Sequence, residues 1–121
     1  VNVAGYQAKT YPDPPCWALV ADVYATERGE PVTEYRTVTN TIRGIADAFR
    51  LALHKGQHGF SRIDAPVEFC VVLMGTRPDV GLHHAGVYYQ DRVLHATEAG
   101  VLYQDMASLS DKYPLMEFWA R

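Results

Sequence analysis

Cysteine is scarce in this chain: Cys16 and Cys70 are the only two in 121 residues. Two cysteines do not make a disulfide framework, so the fold must rest on burial, and either thiol is free to be core or chemistry. No apolar run approaches the roughly 20 residues that a membrane span needs, so membrane insertion is not expected. There is no basic excess either. Lys and Arg number 11 against 14 Asp and Glu, and the net charge of −3 leaves no electrostatic footprint for nucleic acid. Residues 1–10 lack the basic start and apolar stretch of a signal peptide, so the chain is expected in the cytoplasm at synthesis, or delivered by another machine. Internal repeats, low-complexity tracts and linkers are also missing.

What is present is an ordinary globular composition, 48% hydrophobic and 21% charged. A chain of this length makes one domain, residues 1–121, that buries about two-thirds of its unfolded surface. A first helix is expected over 15–28. Cys16, Leu19, Val20, Val23 and Tyr24 recur at helical spacing, Asp13 can cap the start, and Gly29 with Pro31 ends it. A second helix is expected over 41–55, with Ile42, Ile45, Ala46, Phe49, Ala52 and Leu53 as its buried stripe. Strands are expected over 67–74, 82–89, 92–97, 100–103 and 115–119, with Gln90-Asp91 turning a hairpin. Helices first and antiparallel strands after give an α+β fold, with N-terminal helices packed on an antiparallel sheet.

Cys16 follows a proline pair at the start of the first helix. Unpaired N–H groups and the positive end of the helix dipole favour a thiolate there, so a depressed pKa is expected. Thiol attack on an amide also needs a general base and a group to orient that base. The hairpin offers both. If Gln90-Asp91 is a two-residue turn, Tyr89 faces Arg92 and Gly86 faces His95. Then His84, Gly86 and Tyr88 share a face with Val93, His95 and Thr97. His84 and His95 become diagonal neighbours with backbones about 7–8 Å apart, and Gly86 leaves room for the His95 ring. His83 falls on the other face and is a candidate for substrate contact. Cys16, His84 and His95 are also zinc-type ligands, but no fourth ligand is apparent, so no metal or other cofactor is expected. His54 and His58 flank Gly56 and read as a solvated helix end.

These residues resemble the NlpC-type family of papain-like cell-wall cysteine peptidases, in particular its bacteriophage tail-associated branch. Cys16-Trp17-Ala18-Leu19-Val20 followed by Val23-Tyr24 is similar to that family's Cys-Trp-Gly-Leu-Val…Val-Tyr. His84-Ala85-Gly86-Val87-Tyr88 resembles its His-Val-Gly-Ile-Tyr strand, and Val93-Leu94-His95-Ala96 its Ile-His-Ala strand. The resemblance implies a papain-like fold and hydrolysis of peptidoglycan stem peptides, usually at the γ-D-glutamyl–diamino acid bond. It implies Cys16 as nucleophile, His84 as base and His95 as the orienting residue. Tyr6 matches the tyrosine that lies upstream of the nucleophile near substrate and oxyanion, with Tyr11 as its rival. Phage tail proteins are the implied partners, and the virion tail, acting on the cell wall, the implied setting. The chain departs from the family pattern at Pro15, at Ala18 and along residues 8–12, which touches the cleft more than the nucleophile. A tail-assembly component that keeps the fold with little hydrolase activity is the alternative.

Overall fold

The computed structural model describes residues 1–12, 15–32, 45–48, 50 and 59–121. The expected cap Asp13, most of the expected second helix, and His54 and His58 lie outside the described residues. Of that helix, residues 45–48 and 50 are helical.

Six strands build one antiparallel sheet: β1 (Ser61–Ile63), β2 (Val71–Gly75), β3 (His84–Tyr89), β4 (Arg92–Thr97), β5 (Gly100–Asp105) and β6 (Leu115–Ala120). They lie side by side in the order β1-β6-β2-β3-β4-β5. Among the described residues, besides the helical residues 45–48 and 50, these helices accompany them: α1 (Val3–Gln7), α2 (Pro15–Arg28) and α3 (Met106–Lys112). This is the expected α+β class with an antiparallel sheet. Among the described residues, no helix is long and apolar enough to cross a membrane.

α2 starts where a proline needs no partner for the N–H it lacks. It ends at Gly29, whose φ of +62° is the left-handed conformation that closes a helix. The sequence suggests one apolar face. Instead Cys16 through Ala21 are all buried, and the outward face of the helix begins only at Asp22. The start of α2 is thus enclosed by the protein. α2 packs on one face of the sheet, where Leu19, Val20 and Val23 share a core with Val71, Leu73, Ala85, Val87, Leu94 and Ala96. The opposite face carries a second core of Val72, Met74, Val93, Leu109 and Tyr113, closed by α3 and the residue after it. Strand alternation divides β3 between them: Ala85 and Val87 face α2, while His84, Gly86 and Tyr88 face the α3 side.

Several boundaries differ from the expected ones. β2 begins at Val71, so Cys70 sits just before the strand, and β3 begins at His84 rather than 82. β5 runs to Asp105, past the expected end at Tyr103. α1, β1 and α3 are too short, at 5, 3 and 7 residues, to show a readable hydrophobic period.

Candidate active site

The hairpin register is the expected one. Tyr89 pairs with Arg92, Tyr88 with Val93, Val87 with Leu94 and Gly86 with His95. Gln90 and Asp91 both take positive φ, +49° and +66°, as a two-residue turn matched to strand twist requires. Gly86 leaves the room expected of it. A Cβ there would lie 2.6 Å from Val93 Cγ1, 2.8 Å from the Leu94 carbonyl oxygen and 3.0 Å from His95 Cβ.

The pairing of β3 with β4 stops at Gly86↔His95. One step further, the alternation of ladder bonds would aim the Ala85 N–H at β4. Instead it lies close enough to the Cys16 sulfur to favour negative charge there, as do the N–H groups of Trp17 and Cys16. The α2 start therefore meets the sheet where its ladder opens, at the amide that joins His84 to Ala85.

The two imidazoles lie on the other face of the sheet. His84 Nε2 and His95 Nδ1 are 2.8 Å apart, and His95 Nε2 lies 2.7 Å from Gln104 Oε1. The His84 ring stacks on Tyr113, with centroids 5.3 Å apart and planes inclined by 16°. All three expected catalytic residues are buried: Cys16 is 3% exposed, His84 8% and His95 2%. The structure thus pairs His84 with His95 on the α3 side of the sheet and places Cys16 in the core on the α2 side. Among the described residues no hydrogen bond joins the thiol to His84.

Burial overturns the expected thiolate. It pushes the Cys16 thiol up to about 11, against the pull of the three N–H groups. The helix-start effect is present but smaller than the cost of burying a charge. Burial likewise pushes His84 down to about 3, helped by the positive charges that His95, His83 and Lys112 can carry. His95 is lowered by burial and Lys112, while Gln104 pulls the other way. Burial thus favours the neutral form of the thiol and of both imidazoles.

The expected substrate-contact residues fare unequally. The Tyr6 hydroxyl donates to Glu27 Oε1 at 2.9 Å and the Tyr11 hydroxyl to Asp22 Oδ2 at 2.6 Å. Along the α2 axis those partners lie roughly 16 and 9 Å beyond Cys16 at 1.5 Å per residue, so neither hydroxyl stands at the thiol. Burial and these carboxylates raise both phenols. Tyr11 does line a cavity of about 310 Å³ beside Pro15, shared with Lys9, Ala96, Thr97 and Gly100. A larger cavity, about 470 Å³, lies between Ala46, Asp47 and Arg50 on one side and residues 78–82 on the other, and none of the three catalytic candidates lines it. The smaller one opens beside Pro15, the residue before Cys16, and is likewise lined by none of the three.

His83 does not take the opposite face. It precedes β3, its Nε2 lies 3.3 Å from Thr76 Oγ1, and its ring sits 6.1 Å from Tyr113, the same ring that stacks on His84. Strand alternation does not extend to a residue outside the strand.

Sequence reasoning missed Gln104 and Tyr113. Gln104 had a readable signal. β5 pairs Leu102 with His95 and Gln104 with Val93, so Gln104 is diagonal to His95 on the same face. Among the described residues no group of three or more His, Cys, Asp or Glu could hold a metal ion. Compared with known proteins, the chain matches no family model, no curated protein and no solved structure.

Proposed function

We propose that this protein is a papain-like cysteine peptidase of the NlpC type that hydrolyses peptidoglycan stem peptides, in the setting of a bacteriophage tail. One observation carries the reading. A buried thiol at a helix start meets the amide between His84 and Ala85, and His84 is hydrogen-bonded to His95 at 2.8 Å. The proposed nucleophile, base and orienting group come from three separate elements, α2, β3 and β4, and the first two meet the chain at adjacent residues, Ala85 and His84.

The chemistry follows from the neutral pair. As the Cys16 sulfur attacks the scissile carbonyl, its proton passes to the free ring nitrogen of His84. Negative charge develops on the carbonyl oxygen. The Cys16 amide lies in the first turn of α2, where N–H groups lack intrahelical acceptors, and can receive that charge. His84 then returns the proton to the leaving amine, giving an acyl thioester. Water, deprotonated by His84, hydrolyses the thioester and restores the thiol. His95 holds the His84 ring in line through both halves.

Incubation with purified peptidoglycan, followed by mass spectrometry of the soluble fraction, tests the reading. Discrete stem-peptide fragments that disappear with Cys16→Ala support it. The burial of Cys16 favours a second reading, a tail-assembly module with little hydrolase activity. Binding to tail proteins with no released fragments, from a folded wild-type chain, would replace the peptidase by that module.

A further inference from the structure

The geometry points to Gln104 as a positioning residue that sets the direction of the proton chain through both histidines. This rests on the peptidase reading for its purpose, but not for its geometry.

The chemistry at the outer end dictates the rest. With the Gln104 amide turned so that Oε1, a carbonyl oxygen that only accepts, faces His95 Nε2 at 2.7 Å, that nitrogen carries a hydrogen. A neutral imidazole has one N–H, so His95 Nδ1 is then a bare acceptor. His84 Nε2, 2.8 Å from it, must therefore donate. That leaves His84 Nδ1 without a proton, and it is the one nitrogen of the pair still unused. A base has to be bare where it accepts. Reversing the chain would put a hydrogen on His84 Nδ1 and leave it nothing with which to take the thiol proton. One amide at the far end thus decides whether the base can work.

Burial makes that decision consequential. Both rings are shielded, at 8% and 2% exposure, so water offers little alternative for resetting the tautomers. Several groups face the rings besides Gln104. His83 lies ahead of β3, Lys112 ends α3, and Tyr113 stacks on His84. Lys112 opposes an imidazolium on either ring, and none of these groups supplies an acceptor to His95 Nε2.

The test is nitrogen-15 NMR of the full chain labelled at histidine. Five histidines are present, and His54→Gln, His58→Gln and His83→Gln identify the signals of the other two. Long-range nitrogen–proton spectra near neutral pH should show both His84 and His95 with the hydrogen on Nε2. A hydrogen on Nδ1 of either ring would overturn the proposal. In Gln104→Met, close in shape but lacking the amide, the single tautomer should give way to a mixture. Turnover should then fall on the order of tenfold with KM little changed, as when other partners that orient a working imidazole are lost. Gln104→Glu keeps an acceptor, so it should retain the Nε2–H form and most of the rate. Its negative charge should also move the acid limb of the rate profile to higher pH. Unchanged tautomers and turnover in Gln104→Met would overturn the role. A wild-type chain without hydrolysis, whose tautomers are as stated and are lost in Gln104→Met, would leave the proton chain standing and remove the peptidase reading.

Discussion

The two ends of the β3–β4 hairpin are built from the same register and do opposite things. At the turn, Tyr89↔Arg92 closes the ladder over Gln90 and Asp91, and the Tyr88 hydroxyl donates to Asp91 Oδ1 at 2.9 Å. At the other end the ladder opens after Gly86↔His95, and an amide that could have bonded β4 lies close to the Cys16 sulfur instead. The turn end is exposed and locally determined. The open end is buried and draws on α2, β5 and α3 as well. One lesson follows: the turn sets the register two strands share, and the buried His84–His95 pair lies where that shared register gives out. Changes at the open end should therefore act on activity, and changes at the turn on stability alone.

The largest effect should separate the adjacent histidines. His84→Ala removes the base and should lower the rate on a stem-peptide substrate by about two to four orders of magnitude. His83→Ala should cost only a few-fold, because its Nε2 is engaged with Thr76 in front of the strand. Equal losses in steady-state assays would mean that Tyr113, which touches both rings, matters to the site more than the base does.

Next comes His95. His95→Ala should lower turnover by about ten- to a hundredfold, a milder loss than that of His84. His95→Asn should recover part of it, since an amide oxygen can accept the same hydrogen bond. Full activity in His95→Ala would assign the orienting role elsewhere.

Acid should destabilise the fold through the open end. Burial holds the folded His84 at about 3, below its ordinary value of 6.5, and lowers His95 too. The unfolded chain then binds more protons between those values, so stability is complete above about pH 6.5 and falls as the pH drops toward 3. Urea unfolding at pH 7 and pH 4.5 should show this, with a smaller drop in His84→Gln. An equal drop in that variant would place the acid sensitivity outside His84.

The smallest effect belongs to the turn. Asp91→Gly relieves a positive φ at a non-glycine residue and should stabilise the chain by up to about 1 kcal/mol, offset in part by the lost Tyr88 contact. Activity should not change. A turn variant that loses activity while folded would show that the two ends are coupled.

The sequence made the turn end legible and the open end only in part. The register followed from two turn residues and strand alternation, and with it came the His84–His95 pair and the space at Gly86. α2 was readable because Pro15 and Gly29 bracket a helical apolar pattern. Elsewhere the signals were too short or depended on the rest of the fold. His83 was assigned by alternation to a strand it precedes. Gln104 lies one residue past the expected end of its strand, and Tyr113 follows a seven-residue helix with a single buried side chain, Leu109. The Cys16 thiol was misjudged because the helix start is visible in sequence, whereas the enclosure that raises its pKa is made by residues far along the chain.

The central claim is that the buried Cys16 attacks substrate, and trapping the acyl-enzyme tests it most directly. The chain is mixed with a purified stem peptide, quenched in acid within one turnover, and mapped by peptide mass spectrometry. The account predicts a thioester adduct on Cys16, none on the equally buried Cys70, and none in His84→Ala. Turnover of the stem peptide with no adduct on Cys16, or with the adduct on Cys70, would contradict it.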